Sequence, residues 1–144
     1  MFGIFAKMIT PEDLLRQHGL RSTNTRINVV NLLRKSPHAI SHPELEQGMI
    51  QQADRVTLYR TLKSLEEKGI IHRILDNEGI SRFAVCKDAC TEHQHADEHI
   101  HFQCHVCGNI YCISIAAFPA FVLPQGYVLH QLRFNAEGIC KACN

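Results

Sequence analysis

The sequence contains no long hydrophobic run, no recognisable export signal and no large excess of charge of either sign. No apolar stretch approaches the roughly 18 residues that are needed to cross a bilayer. The amino-terminal MFGIFAKMI is too short for a signal peptide and lacks the small-residue cleavage site. These absences predict a cytoplasmic protein that does not span a membrane.

The net charge of +1 is unevenly distributed along the 144 residues. Of the 15 lysines and arginines, all but Arg133 and Lys141 precede position 90. Only the first part of the chain is therefore suited to face a polyanion such as nucleic acid. A hydrophobic content of 45% is enough to bury a core in one domain or in two small ones.

The first part of the chain carries the start and stop signals of four helices. Thr10 and Thr23 are placed to cap the first two helices, and Ser41 with Glu44 forms a capping box for the third. Gly19 follows the first helix, and Gly69 follows the fourth, as glycine commonly does at helix ends. The predicted helical segments are 10–19, 22–33, 41–49 and 54–69.

A β-hairpin follows these helices. The runs IIHRIL and ISRFAVC are rich in β-forming residues, and the intervening DNEG is a typical turn sequence. Helices followed by a two-stranded wing make a winged helix, in which the helix before the wing enters the major groove of DNA. The sequence therefore predicts that the helix DRVTLYRTLKSLEEKG contacts DNA.

The apolar stripe of that helix is predicted to consist of Val56, Leu58, Leu62 and Leu65. The remaining side chains can bond bases or phosphates, and they are the predicted DNA contacts: Arg55, Thr57, Tyr59, Arg60 and Lys63. Periodicity alone leaves open the alternative of an ordinary amphipathic helix whose polar face is only solvated.

Seven cysteines in a chain without an export signal favour metal binding over disulfides, because a reducing compartment keeps thiols free. Two Cys-x-x-Cys pairs stand roughly thirty residues apart, and they comprise Cys104, Cys107, Cys140 and Cys143. Four thiolates saturate a tetrahedral zinc ion and leave no open position. The spacing therefore predicts a structural zinc site that clamps the end of the chain.

His99 and His101 stand just before the first cysteine pair. Residues two apart on a strand point to the same side, so both imidazoles can reach one metal ion. Two ligands do not hold a regulatory ion tightly, and further ligands have to come from elsewhere in the chain. The sequence thus indicates two metal sites with different roles.

The string VTLYRTL, followed by LEEKGIIH, resembles the recognition-helix signature of the ferric uptake regulator family of bacterial metal-dependent repressors. The resemblance continues in GLRSTNTRINVVNLL, HIHFQCHVCG and GICKAC, and so spans nearly the whole chain. Arg26 matches the family's helix-start arginine, although Thr25 replaces the usual proline. Arg16 and Arg26 are accordingly added to the candidate DNA contacts.

The resemblance implies an α+β protein with a winged-helix DNA-binding domain and a small α/β dimerisation domain that carries the structural zinc. The implied boundaries are 1–88 for the DNA-binding domain with its wing, 89–97 for a linker and 98–144 for the dimerisation domain. It also implies a homodimer that binds a palindromic operator in double-stranded DNA.

By the same resemblance to zinc-sensing members, the regulatory site consists of His72, Cys86, His99 and His101. A thiolate among imidazoles favours Zn²⁺, whereas Fe²⁺ and Mn²⁺ generally take carboxylate oxygen. Iron-sensing relatives carry a glutamate where this sequence has Ala84. Regulatory zinc is thus predicted, with Fe²⁺ or Mn²⁺ as the alternative and Glu98, Asp97 or His38 as possible further ligands.

The expected mechanism is repression of metal-uptake genes by the zinc-loaded dimer, since the ligands come from both sides of a hinge. Iron-sensing and peroxide-responsive repressors of the family are alternatives, as is a structural zinc-ribbon adaptor. An enzyme is not predicted, because neither cysteine pair follows a proline as a zinc deaminase requires. Cys90 and Cys112 are predicted to be spectators, and His93 and His95 to be solvated.

Overall fold

The computed structural model describes residues 9–85, 99–114, 120–130 and 132–144. All four predicted helices are present, and each begins after a side chain that accepts a backbone N–H three residues later: Thr10, Thr23, Ser41 and Asp54. The helices are α1 (Pro11–Gln17), α2 (Asn24–Lys35), α3 (His42–Gly48) and α4 (Arg55–Glu67). The capping box of Ser41 and Glu44 is formed in both directions.

The helices enclose one hydrophobic core. Leu15 of α1, Val30 of α2 and Leu45 of α3 are buried in it together with Leu58, Leu62 and Leu65 of α4. The prediction that Val56 belongs to the buried stripe is wrong, since its side chain is 58% exposed. Val56 precedes Leu58 by two residues, which is about 200° around a helix. It therefore lies on the outer face.

The predicted wing is also present. Strands β2 (Ile71–Leu75) and β3 (Ser81–Val85) pair antiparallel. A two-residue strand that the sequence did not predict, β1 (Ile40–Ser41), pairs with β3, and the sheet order is β1-β3-β2. Buried Asp76 holds the wing turn, because its Oδ1 accepts the backbone N–H groups of Ile80 at 2.8 Å and Glu78 at 2.9 Å.

The second part of the chain contributes a separate three-stranded sheet. It consists of β4 (His99–Cys104), β5 (Ile110–Ser114) and β6 (Asn135–Gly138) in the order β5-β4-β6. β4 is antiparallel to β5 and parallel to β6. Residues 99–114, 120–130 and 132–144 contain no helix, so the helical portion of the predicted α/β domain is not found among them.

The two parts contact each other directly. The backbone N–H of Ala39 donates to the carbonyl oxygen of Ile110 at 2.8 Å, and both residues pack with Ile74 in a small buried cluster. At the wing turn, Asn77 donates its N–H to Gln103 Oε1 at 3.1 Å and its side-chain amide to Glu137 Oε1 at 2.8 Å. The wing and the second sheet thus share an apolar and a polar contact.

Residues 86–98 lie outside the described part of the chain. The predicted linker, Cys86, Cys90, His93 and His95 fall within that range, so the boundaries at 88 and 97 stay predictions. Among the described residues, no helix is both long and apolar enough to cross a membrane.

Candidate metal centres

The structure brings the four paired cysteines together. Cys104 ends β4, Cys107 lies in the turn after it, and the parallel pairing of Cys104 with Gly138 on β6 brings Cys140 alongside. Gly108 completes the first turn with a φ of 73° and donates its N–H to the carbonyl oxygen of Cys104. The four Sγ atoms lie within 4.8 Å of one another.

Backbone donors and a phenol favour the thiolate form at two members of this four-cysteine cluster, Cys104 and Cys140. The hydrogen bond with Cys140 instead raises the pKa of Cys143 to about 12, as expected when neighbouring thiols share a proton. The backbone N–H groups of Cys107 and Cys140 lower the pKa of Cys104 to about 6. The hydroxyl of Tyr111 lies 3.6 Å from Cys140 Sγ and lowers the pKa of that thiol. The same hydrogen bond raises the pKa of Tyr111 to about 12, so the phenol is the donor.

The sulfur positions fit a zinc ion. Zn–S bonds of about 2.3 Å in a tetrahedron place sulfur atoms about 3.8 Å apart. Sγ of Cys107 and Sγ of Cys140 are separated by 3.8 Å. The two Cys-x-x-Cys turns therefore provide a closed, all-sulfur donor set, in which Cys104 and Cys140 are buried.

A second cluster of donors lies between the wing and the second sheet. It contains His72, His99, His101 and Cys112, whose ligand atoms all lie within 4.8 Å of one another. Nε2 of His99 and Nε2 of His101 are 2.9 Å apart, and Cys112 Sγ is 3.4 Å from His72 Nε2. We call these four residues the mixed cluster.

The strand register explains why these side chains meet. His99 and His101 lie on the same face of β4, and Cys112 of β5 is directly opposite His101. His72 reaches them from β2 and is only 6% exposed. The mixed cluster therefore takes ligands from both parts of the chain.

The mixed cluster also has dimensions that suit zinc. With bonds of about 2.0–2.3 Å, a tetrahedral ion separates nitrogen from sulfur by ~3.6 Å and nitrogen from nitrogen by ~3.4 Å. The 3.4 Å between Cys112 and His72 is near the first value. The 2.9 Å between His99 and His101 is shorter than the second, so their rings would separate slightly around an ion.

Three of the four predicted regulatory ligands, His72, His99 and His101, are thus brought together. The fourth, Cys86, lies outside the described residues. Cys112, which was predicted to be a spectator, is instead a member of the mixed cluster. The signal that identifies it is its place opposite His101, and that signal requires the register of β4 and β5.

The outward face of α4 carries the predicted DNA contacts. Arg55, Thr57, Tyr59, Arg60 and Lys63 are all exposed, and Val56 lies among them. Arg55 Nε is 3.0 Å from Glu46 Oε1, and Lys63 Nζ is 4.0 Å from Glu67. Both pairs are exposed enough to open when a polyanion approaches.

The two remaining candidates belong to other helices. Arg16 of α1 is exposed and pairs with Asp13 at 2.9 Å. Arg26 at the start of α2 donates from its guanidinium to the carbonyl oxygen of Arg21 at 2.9 Å. The structure therefore does not gather all seven candidates on one helix.

Comparison with known proteins identifies the family of this chain. Residues 17–118 match the ferric uptake regulator family. The chain belongs to that family. Members of the ferric uptake regulator family are metal-dependent transcriptional regulators and not enzymes.

Individual relatives agree with that assignment. A ferric uptake regulation protein of Brucella abortus is 34% identical over 85 residues, which are 57% of this chain and 60% of the relative. One from Bordetella parapertussis is 27% identical over 143 residues, covering 94% of this chain and 97% of the relative. A solved zinc uptake regulator complexed with zinc and DNA superimposes with a TM-score of 0.65 at 25% identity, covering 92% of this chain and 89% of that chain.

Proposed function

We propose that the protein is a DNA-binding transcriptional repressor that senses zinc through the mixed cluster and controls metal-uptake genes. One observation carries the proposal: three imidazoles and a thiol from β2, β4 and β5 converge where the wing meets the second sheet. A site between two parts of a chain can bias how those parts are arranged, because its ligands meet in only one arrangement.

The response to metal follows from the placement of the ligands. A bound zinc ion would supply a divalent cation that His72, His99, His101 and Cys112 could bind together. His72 belongs to the wing, whereas His99, His101 and Cys112 belong to the other sheet. Full coordination therefore holds the wing, and α4 before it, against the second sheet. Loss of the metal frees the DNA-binding part to adopt other orientations.

Zinc is proposed over Fe²⁺ and Mn²⁺ because the described members of the mixed cluster offer sulfur and nitrogen and, among the described residues, no carboxylate joins them. Thiolate is a soft ligand that suits zinc, whereas iron and manganese sites generally include oxygen. Cys112 supplies one sulfur donor, and Cys86, implied by the family resemblance, stays a prediction as another. An iron- or manganese-responsive repressor is the alternative metal assignment.

The four-cysteine cluster is proposed to be the structural zinc site. Its four sulfur atoms fill the four coordination positions of a zinc ion, so no position is left for a substrate or water. Two of its members, Cys104 and Cys140, are also buried. It joins the end of β4 to the chain terminus through residues more than thirty positions apart. Such a clamp stabilises a small sheet that has little core of its own.

DNA recognition is proposed to come from the outward face of α4. Arg60 and Arg55 supply charge-assisted donors for bases or phosphates, and Tyr59 is 60% exposed beside them. Exposed Val56 adds an apolar side chain that suits a thymine methyl group. Arg16, Arg26 and Lys63 are proposed to bind phosphates and so to set the position of the helix.

A homodimer is proposed to present two such helices to a palindromic operator in the cytoplasm. The second part of the chain exposes an apolar stretch suited to a subunit interface: Phe121, Val122, Leu123, Tyr127, Val128, Leu129 and Leu132. These residues lie in the segment between β5 and β6, and a small monomeric protein rarely leaves so large an apolar stretch in water.

The decisive experiment measures DNA affinity with and without zinc. An operator is first selected from random duplexes with zinc-loaded protein, and its affinity is then determined by fluorescence anisotropy. His99→Ala should abolish the zinc-dependent gain, which for coupled sites is typically about five- to 150-fold. His105→Ala is the matched control, because His105 is an exposed histidine outside both clusters.

Two results would contradict the proposal. If wild type gains affinity with Fe²⁺ or Mn²⁺ but not with Zn²⁺, the repressor assignment stands and the zinc assignment fails. If no duplex is enriched in any metal, the zinc-ribbon adaptor becomes the better description of the chain.

A further inference from the structure

Tyr111 lies at the junction of the four-cysteine cluster and the first part of the chain. Its hydroxyl is 3.6 Å from Cys140 Sγ and 4.0 Å from Cys107 Sγ, so one donor faces two sulfur atoms. Tyr111 precedes Cys112 on β5, and successive side chains on a strand point to opposite faces. The two residues therefore serve different clusters from adjacent positions.

The ring of Tyr111 also contacts the first part of the chain. It meets the imidazole of His38 edge to face, with ring centroids 6.1 Å apart and planes at 80°. His38 is itself fixed in the turn after α2, where Ser36 Oγ donates to its carbonyl oxygen at 2.7 Å. The adjacent Ala39 N–H donates to Ile110, so two neighbouring contacts join this turn to β5.

A hydroxyl in this position has a definite chemical effect. Four thiolates around a divalent cation carry a net charge of −2, and that excess charge is stabilised by any donor that reaches a sulfur atom. A donor beyond the ligands also fixes their orientation and makes the sulfur less reactive toward electrophiles. The phenol of Tyr111 is such a donor, and it leaves the sulfur free to bind metal.

We propose that Tyr111 is a positioning residue of the four-cysteine site, donating a hydrogen bond to Cys140 Sγ while its ring ties that site to His38. The inference rests on the proposed metal occupancy of the four-cysteine cluster. Through Tyr111, the four-cysteine site is linked to the contact between the two parts of the chain. This role is additional to its joining of β4 to the last residues. The hydroxyl donates to Cys140 Sγ, and the ring contacts His38.

Two substitutions distinguish the role of the Tyr111 hydroxyl from the role of its ring. Tyr111→Phe removes the hydroxyl and keeps the ring, whereas Tyr111→Leu removes both. Ser114→Ala is the matched control, because it removes an exposed hydroxyl from the same strand and Ser114 belongs to neither cluster. All measurements use the full chain.

The first measurement follows zinc loss from the loaded protein. Tyr111→Phe should weaken zinc retention against a chelator about tenfold, the lower range for losing a residue that orients a ligand. N-ethylmaleimide should also release zinc faster, as each thiolate forms a bond to a maleimide carbon and the neighbouring carbon takes a proton from water. Ser114→Ala should match wild type in both assays.

The second measurement uses Co²⁺ in place of zinc. A hydrogen bond lowers the energy of sulfur lone pairs, so its loss should move the sulfur-to-cobalt charge-transfer absorption to longer wavelength in Tyr111→Phe and Tyr111→Leu. Hydrogen exchange of the Ala39 amide should rise in Tyr111→Leu only, because only that variant loses the ring. A purely structural role would change stability without moving the cobalt spectrum.

The outcomes distinguish failure of the Tyr111 hydrogen bond from failure of the proposed structural zinc site. If Tyr111→Phe equals Ser114→Ala in zinc retention, maleimide reaction and cobalt absorption, the hydrogen-bond role is overturned while the metal site stands. If wild type retains no ion in an all-sulfur environment, the proposed structural site fails first and the inference fails with it. Equal Ala39 exchange in the Phe and Leu variants would overturn the role of the ring.

Discussion

Sγ of Cys112 lies 3.4 Å from Nε2 of His72, and this pair joins β5 to the wing. His72 is almost fully buried at this junction. The contact brings a soft donor into reach of the same point as His99 and His101. It therefore bears on both the choice of metal and the coupling between the two parts of the chain.

Cys112→Ser should reduce the preference for zinc. Replacing sulfur with a hydroxyl leaves three imidazoles and a poorer, harder donor in the mixed cluster. We expect the zinc-dependent gain in DNA affinity to fall by roughly tenfold, about 1.4 kcal/mol of coupling. Ser114→Ala on the same strand is the control and should behave as wild type. Unchanged zinc dependence in Cys112→Ser would leave Cys86 as the thiolate ligand.

Cys104→Ser should release the structural zinc and destabilise the second sheet. Cys104 is buried, ends β4 and accepts the backbone N–H of Cys140 at 3.3 Å. In small metal-held units the free energy of metal binding is largely free energy of folding. Elemental analysis should show one zinc fewer per chain, and gel filtration should show a loss of dimer. An unchanged melting temperature and dimer would refute the structural assignment.

Substitutions on the exposed face of α4 should separate base contacts from phosphate contacts. Arg60→Ala and Tyr59→Phe should each weaken operator binding by ~1–3 kcal/mol if they contact bases. Lys63→Ala should weaken all duplexes alike and lower the salt dependence of binding. Anisotropy titrations at several salt concentrations measure both effects. Wild-type operator affinity in both Arg60 and Tyr59 variants would mean that another element reads the sequence.

Asp76→Asn should lower stability in a pH-dependent way. Burial acts to raise the pKa of Asp76, but the backbone N–H of Ile80 and the guanidinium of Arg82 outweigh it, and the pKa lies below its usual 3.8. A pKa that is lower in the folded state means stability that is present above the unfolded value and lost as the pH falls through the folded one. We expect a loss of ~1–3 kcal/mol at neutral pH.

Urea unfolding of wild type and Asp76→Asn, repeated from pH 7 downward in the presence of chelator, measures this effect. The difference between the two proteins should begin to shrink below about pH 4, where Asp76 becomes protonated in the unfolded wild type, and should continue to shrink as the pH falls through the lower pKa of the folded state. Asp13→Asn is the control, because its exposed pair with Arg16 should contribute less than about 1 kcal/mol. A difference that stays constant with pH would show that the charge of Asp76 does not stabilise the wing.

Much of the fold was predictable because its signals are local. The caps Thr10, Thr23, Ser41 and Asp54 begin the four helices where the sequence indicates, since a side chain that accepts an N–H three residues away acts within its own turn. The wing turn at DNEG also depends on a local signal, because Asp76 accepts N–H groups from residues two and four positions later. The paired cysteines could also be assigned, because each Cys-x-x-Cys unit places two sulfurs in one turn.

One error could have been avoided from the sequence. Val56 is apolar, yet the helical period places it on the face of Tyr59 and Arg60 and away from Leu58. Its exposure follows from spacing alone. The position of a residue in the helical period, more than its apolar type, decides whether it is buried, and the prediction that Val56 is buried was wrong for that reason.

The sequence by itself determined the helices, the wing, the all-sulfur cluster and the pairing of His99 with His101 on one face. Only the tertiary structure decided that β1 pairs with β3, that Ile110 meets Ala39, and that Cys112 joins His72. Cys112 and His72 are forty residues apart, and nothing near either residue encodes the other. Their meeting depends on the register of β4 with β5 and on the packing of the wing against that sheet, which are set by the burial of side chains distant in sequence.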